Sequence, residues 1–330
     1  MKILNKITKE TILVTGTNGF VGKALINKLA TESFFINAIT RKSINSGLSN
    51  SDNINIFFID DFVNDDLPSK VWNNITTVVH LAAKVHQPSK DTIDDLKEYY
   101  KINTQMTTRL AKQAIKKKVK VFIFMSSIKV NGDYTKTNEF FSNYDEANPQ
   151  DLYAKSKLEA ENQLINLTKS SDMDLVIIRP PLVYGPGVKG NFLKLIKFTM
   201  LGFPLPFGFI NNRRGYIFID NLVDFIICCI KNPKARNNIF LVSDFNDIST
   251  KDLVKKINKL SGKSNLIMNI PIPIISIFLT LIGKKSMMYK LIYSLQVDIT
   301  HTKKVLGWRP PLSVNEGLKK TINSYINQDY

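Results

Sequence analysis

Along the 330-residue chain, short β-branched and aromatic runs alternate with longer segments whose apolar residues recur at helical spacing. The runs read TILVT at 11–15, FFINAIT at 34–40, INIFFID at 54–60, TTVVHLAA at 76–83, VFIFMSS at 121–127 and LVIIRP at 175–180. This alternation predicts an α/β fold, a doubly wound parallel sheet covered on both faces, and the unbroken apolarity of VFIFM predicts a central, buried strand. After Pro180 the texture changes to PLVYGPGVKGNF and LGFPLPFGFINNRR, with proline, glycine and aromatics in place of alternation. That change predicts a smaller lobe on the carboxyl edge of the sheet, where ligands of such folds bind. The expected organisation is a main domain over 1–180 and a substrate-binding lobe over 181–330. Residues 215–245, with the apolar runs YIFIDNLVDFIICCI and NIFLVSD, are expected to pack back onto the main domain.

A hydrophobic content of 44% fits a large core. Cys228 and Cys229 are adjacent, which excludes an unstrained disulfide between them and shows no metal-ligand spacing, so a reducing compartment is expected. The start, MKILNKITKETILVTG, is interrupted by Thr8, Lys9 and Glu10 and lacks the apolar region of a signal peptide, which predicts a cytoplasmic protein. The most apolar later segment, 270–282, is shorter than the roughly 20 residues of a transmembrane span and contains two prolines, leaving a buried element or, second, a membrane-surface one. The net charge of +17 includes the run KQAIKKKVK at 112–120, yet no nucleic-acid motif accompanies the scattered lysines. A basic surface instead suits a phosphate-bearing substrate. His80, His86 and His301 show no ligand spacing, so no metal is expected.

The first run leads directly into Thr15-Gly-Thr-Asn-Gly-Phe-Val-Gly22 and then a helical segment. Gly16 permits a tight turn, Gly19 lets the backbone approach a pyrophosphate and Gly22 lets helix and strand pack closely, while the helix start attracts the anion. Asn18, Phe20 and Val21 belong to the same cofactor-binding turn. After the second strand, where an acid would hold the adenosine ribose of NAD, the chain reads Ala38-Ile-Thr-Arg-Lys42. Arg41 and Lys42 suit a 2′-phosphate and favour NADP(H); as solvated loop cations they leave NAD(H) open.

Tyr153 and Lys157, in DLYAKSK, are four apart and share a helix face. A nearby ammonium favours the phenolate of a phenol that is otherwise a poor base at neutral pH, so the pair suits proton exchange with an alcohol. Lys155 falls on the opposite face. With the glycine turn and Ser126-Ser127 after the fifth strand, this spacing resembles the extended short-chain dehydrogenase/reductase family, as do Arg179-Pro-Pro-Leu-Val-Tyr-Gly-Pro-Gly187, Leu306-Gly-Trp308 and Glu316-Gly-Leu318.

The resemblance implies a Rossmann-type fold and a catalytic set of Ser127, Tyr153 and Lys157, in which tyrosine is the acid/base, lysine binds the nicotinamide ribose and serine holds the substrate oxygen. It assigns Asp61 and Phe62 to the adenine side. Leu81, Ala82, Ala83 and Lys84 take the backbone approach to the cofactor, with Asn103 on the next helix either shaping it or touching ligand. Asn191, Arg213 and Arg214 match diphosphate-binding positions of nucleotide-sugar enzymes, and Lys84, His86 and Lys129 fall near the sugar. The epimerase pattern is not kept throughout: Tyr293-Ser-Leu-Gln-Val-Asp298 replaces an Arg-Pro-Gly-Asp stretch, and Ser126-Ser-Ile-Lys-Val-Asn-Gly132 replaces Ser-Ser-x-x-Val-Tyr-Gly.

Those departures look most like the bacterial 4-ketoreductases that form UDP-N-acetylquinovosamine for O-antigen synthesis. The reading placed first is therefore an NADP-dependent reductase of a UDP-4-keto-6-deoxy-N-acetylhexosamine. A UDP-hexose or UDP-N-acetylhexosamine 4-epimerase with retained NAD comes second, and a non-catalytic NADP-sensing protein third. Relatives pair helices corresponding to 91–118 and 152–169, which implies a homodimer.

Overall fold

The computed structural model of the protein describes residues 10–41, 52–85, 92–136, 138–281, 283 and 286–327. Strands β1 (Thr11–Thr15), β2 (Phe35–Thr40), β3 (Ile54–Phe58), β4 (Ile75–His80), β5 (Val121–Met125) and β6 (Asp174–Arg179) realise the six sequence runs. With β9 (Asn238–Leu241) they form a seven-stranded sheet in the order β3-β2-β1-β4-β5-β6-β9. The register is parallel, pairing Val14 with Ala38 and Val79, and Ile123 with Val79 and Val176. This is a Rossmann-like α/β fold. Its strand order reverses between β1 and β4, which opens a crevice at their carboxyl ends.

Burial explains why each run becomes the strand it does. Every residue of β1 and of β5 is buried, whereas β3, at the sheet edge, is only partly covered and leaves Phe58 exposed. Phe122 and Phe124 on β5 are fully buried, each stabilising the fold by roughly 1.5–3 kcal/mol relative to exposure. Helix α1 (Phe20–Ala30) buries Leu25, Ile26 and Leu29. Helix α2 (Ile93–Tyr99) continues through a π-helical segment, Tyr100–Gln105, into α3 (Met106–Lys116). Helix α4 (Leu152–Thr168) starts where Asp151 accepts a hydrogen bond from the Ala154 N–H at 2.7 Å, satisfying a donor that the first turn leaves open.

The chain folds as two compact units. The first comprises Met1–Ser126, Asp151–Ile178 and Ile226–Ile239; the second comprises Ser127–Gln150, Arg179–Phe225 and Phe240–Tyr330. Outside the large sheet, β7 (Leu182–Tyr184) pairs in parallel with β8 (Tyr216–Phe218). Helices α5 (Gly190–Met200), α6 (Ile219–Lys231), α7 (Thr250–Ser261), α8 (Ile272–Leu281), α9 (Ser286–Leu291), α10 (Thr300–Leu306) and α11 (Val314–Ile326) complete the fold. A small core of Leu205, Phe207, Ile210, Val254, Ile275 and Leu279 lies within the second unit. Among the described residues, no helix is long and apolar enough to cross a membrane.

Candidate active site

In the first unit, the turn between β1 and α1 can be built only with glycine at two points. Gly16 has φ +72°, and a Cβ there would lie 2.6 Å from the Ala82 nitrogen; a Cβ on Gly22 would lie 2.2 Å from the Gly16 carbonyl oxygen. The ends of β1 and β4 thus approach backbone to backbone, and α1 sits directly over the turn. No side chain caps α1 and no acid occupies its first turn, so its N–H groups face a cradle suited to an anion. The Thr17 hydroxyl donates to the Ile39 carbonyl at 2.8 Å and Asn18 Nδ2 to Thr40 Oγ1 at 2.6 Å, fixing the turn to the end of β2. These residues fit a dinucleotide pyrophosphate. Asn18 and Gly19 form the exposed tip, with Phe20 and Val21 half-buried behind them.

The remaining cofactor positions differ in what they present. Arg41 is exposed just after β2, while Lys42 and His86 lie outside the described residues. Asp61 is held in its own turn, accepting from the Asn64 backbone N–H at 2.9 Å and from Asn64 Nδ2, and these bonds lower its carboxyl pKa. The Phe62 ring is buried in the core, and its carbonyl accepts a hydrogen bond from Arg109 Nη2 at 2.7 Å. Leu81, Ala82 and Ala83 are half-buried. Asn103, fully buried in the π segment, accepts from the Lys84 N–H at 2.8 Å and donates to the Lys84 carbonyl at 3.0 Å and to Ser156 Oγ at 3.0 Å. It shapes the loop after β4. The Lys84 ammonium is paired with Glu98 and lies 4.9 Å from the centre of the Tyr99 ring, so its side chain is turned toward α2.

On α4, Tyr153 is half-buried with its ring edge-on to Tyr99 at 6.3 Å, and Lys155 points to solvent. Lys157 is buried: its ammonium donates to the Met125 carbonyl at 2.9 Å, at the end of β5, and lies 4.6 Å from the centre of the Phe124 ring. Burial pushes the ammonium down to about 7, with the charge of Glu161 opposing the shift. Glu161, one turn further on, is itself buried and accepts a hydrogen bond from Ser126 Oγ. A buried cation one turn from a phenol can favour the phenolate electrostatically.

Two features of this unit were not read from sequence. The Ser126–Glu161 bond fixes which hydroxyl of the serine pair is committed to structure. The second feature is His80, which bonds Thr15 Oγ1 through Nδ1 at 2.7 Å and Thr107 Oγ1 through Nε2 at 2.9 Å. Burial, and then the charge of Lys157, hold His80 down to about 3, so it serves as a neutral tie between β1, β4 and α3. Glu161 was visible as the carboxylate four residues after Lys157 on the same helix face; the partners of His80 had no local signal.

The second unit carries the other candidates. Ser127, half-buried, accepts from the Lys129 N–H at 3.3 Å at the head of a short 3₁₀ turn. The Lys129 ammonium lies 3.2 Å from Asp133 Oδ1. Asn191 is exposed in the first turn of α5, a helix whose start has no side-chain cap. Arg214 donates to the Tyr293 carbonyl at 2.8 Å, and burial lowers its guanidinium pKa against the opposing effects of Tyr216 and Asp133. Arg213 is exposed, with its N–H donating to Ser294 Oγ at 3.0 Å. The atypical segment after Tyr293 therefore braces both arginines: Leu295 donates to the Arg213 carbonyl and accepts from the Gly215 N–H, each at 2.9 Å. Among the described residues, no group of histidine, cysteine and carboxylate side chains could hold a metal ion.

A sequence model of the NAD dependent epimerase/dehydratase family matches residues 12–243. The chain belongs to that family. It is similar to a UDP-glucose 4-epimerase of Vibrio cholerae, 42% identical over 321 residues and spanning 96% of each chain. An Escherichia coli O157:H7 N-acetyl-alpha-D-glucosaminyl-diphospho-ditrans,octacis-undecaprenol 4-epimerase is 27% identical, over 95% of this chain and 94% of that one. The crystal structure of a Bacillus cereus UDP-glucuronic acid 4-epimerase in complex with NAD aligns with a TM-score of 0.78 at 23% identity, covering 97% of this chain and 99% of that chain. That likeness shows the Rossmann-like α/β fold. The family membership makes the protein an NAD-dependent enzyme of the short-chain dehydrogenase/reductase type.

Proposed function

We propose that the protein is a UDP-sugar 4-epimerase that retains its nicotinamide cofactor. The observation that carries this reading is the 42% identity to a UDP-glucose 4-epimerase along almost the whole of both chains, which reverses the order of the two leading sequence readings. Tyr153 takes the proton of the C4 hydroxyl and later returns it, and the Lys157 charge stabilises its phenolate in between. Ser127 is assigned the hydrogen bond to the same oxygen. The bound nicotinamide supplies hydride acceptance and return at C4. Arg214, with Arg213, Asn191 and Lys129, is assigned to the UDP-sugar, for which a braced guanidinium offers a planar donor set to phosphate.

A second reading, an NADPH-consuming 4-ketoreductase of a UDP-4-keto-6-deoxy-N-acetylhexosamine for surface polysaccharide, is favoured by two features. Arg41, rather than an acid, follows β2, and Tyr293-Ser-Leu-Gln-Val-Asp298 stands in place of an arginine-bearing stretch. A homodimer is part of either reading, because Ile93, Leu96 and Tyr100 form an exposed apolar row at helical spacing.

The test is stoichiometric. Given UDP-glucose or UDP-N-acetylglucosamine and no added cofactor, the purified protein is expected to form the C4 epimer, and Tyr153→Phe to lose at least ~100-fold in turnover. NADPH oxidation with a 4-keto-6-deoxy substrate, without epimerisation, would instead establish the reductase. Unchanged turnover in Tyr153→Phe would reject the proton-transfer role in both.

A further inference from the structure

Helix α8 has apolar residues on both of its faces. Ile275 and Leu279, four apart, pack into the small core of the second unit with Leu205, Phe207 and Ile210. On the other face, Ile274, Ile277, Phe278 and Leu281 follow the i, i+3, i+4, i+7 pattern and are 57%, 61%, 60% and 80% exposed. A soluble surface helix reserves that face for polar side chains. This helix carries no charged residue at all.

The same lobe exposes more apolar surface beside it. A short ribbon joins Leu205 to Leu266 and Met268 through backbone hydrogen bonds of 2.9 Å, and Phe203 and Leu266 are exposed on it. Phe198 and Leu201, at the end of α5, are exposed as well. The apolar row along α8, four large side chains on one helix face, is more than the single exposed residues of an ordinary surface and marks a contact face.

The charge of the chain segments that carry these apolar residues is of one sign. Between Asp252 and Asp298 every charged residue is a lysine, and between Asp174 and Asp220 every one is a lysine or arginine. Lys194 and Lys197 on α5 and Lys255 and Lys259 on α7 are exposed. An apolar helix face in a stretch of chain whose charged residues are all lysine complements an anionic bilayer: the apolar side chains enter the acyl boundary and the lysines meet the headgroups. Ten helical residues extend only about 15 Å, so α8 lies along such a surface and does not cross it.

From this pairing of an exposed apolar helix with the lysine-only charge of the chain segment that carries it, we infer that the second unit docks peripherally on anionic membranes through the outward face of α8. The inference does not depend on which C4 reaction the protein catalyses.

The experiment is co-sedimentation with vesicles of phosphatidylglycerol and phosphatidylcholine in equal parts, compared with phosphatidylcholine alone. Wild-type protein is expected to bind the anionic vesicles, to bind the neutral ones more weakly, and to be released by high salt. The double variant Ile277→Glu/Phe278→Glu, whose side chains lie outside the core, is expected to bind at least ~10-fold more weakly with its thermal unfolding unchanged. Absence of wild-type binding, or equal binding by the variant, overturns the proposal. So does a vesicle-free wild-type oligomer that the variant dissociates, because a second copy of the chain would then cover the face.

Discussion

Lys157 is under two opposing demands, since the proposed chemistry uses its charge near Tyr153 and the interior makes that charge costly. Its folded-state pKa, near 7, lies below the ordinary lysine value of 10.5. Below about pH 7 the folded chain bears the full cost of a buried ammonium. Between about 7 and 10.5 the unfolded chain holds the extra proton, so stability rises with pH, and above both values the cost is gone. Compared with Lys157→Met, the wild type is therefore expected to gain stability from pH 7 to 9.5 in denaturant unfolding of the cofactor-free protein. A stability difference that stays flat across that window would show that the ammonium is not held against burial. The Tyr153–Lys157 spacing was legible because four residues on a helix define one face. The bond between Ser126 and Glu161 was not, because it joins a strand end to a helix 35 residues away.

At the scale of elements, the six apolar runs became β1 to β6 because burial in a parallel sheet leaves few polar positions in a strand. The three-residue strands β7 and β8 and the π segment at 100–105 gave no such signal: the first are too short to show a period, and the second differs from an α-helix only in its hydrogen bonding. The glycine turn was fully readable, and the structure adds the steric reason. In Gly22→Ala the new methyl would sit 2.2 Å from the Gly16 carbonyl oxygen, so α1 must move away from the turn. The expected outcome is a loss of about 1–3 kcal/mol of stability, the usual cost of overpacking, together with weaker dinucleotide binding by fluorescence titration. Wild-type binding in that variant would mean that α1 does not seat the pyrophosphate.

For the molecule as a whole, the glycine turn and Arg214 belong to different compact units. Arg214→Ala is accordingly expected to weaken UDP-sugar binding by about 10-fold or more, as loss of a charge-assisted bond would, with dinucleotide affinity unchanged in calorimetry. Equal losses for both ligands would refute that division of roles. The chain passes between the units at 126–127, 150–151, 178–179, 225–226 and 239–240. No single crossover between two genes can therefore exchange one unit and leave the other whole, and a ribosome has released parts of both before either is complete. Under the proposed division of roles, a change of substrate is therefore expected to come through substitutions within the existing second unit and not through exchange of a whole one.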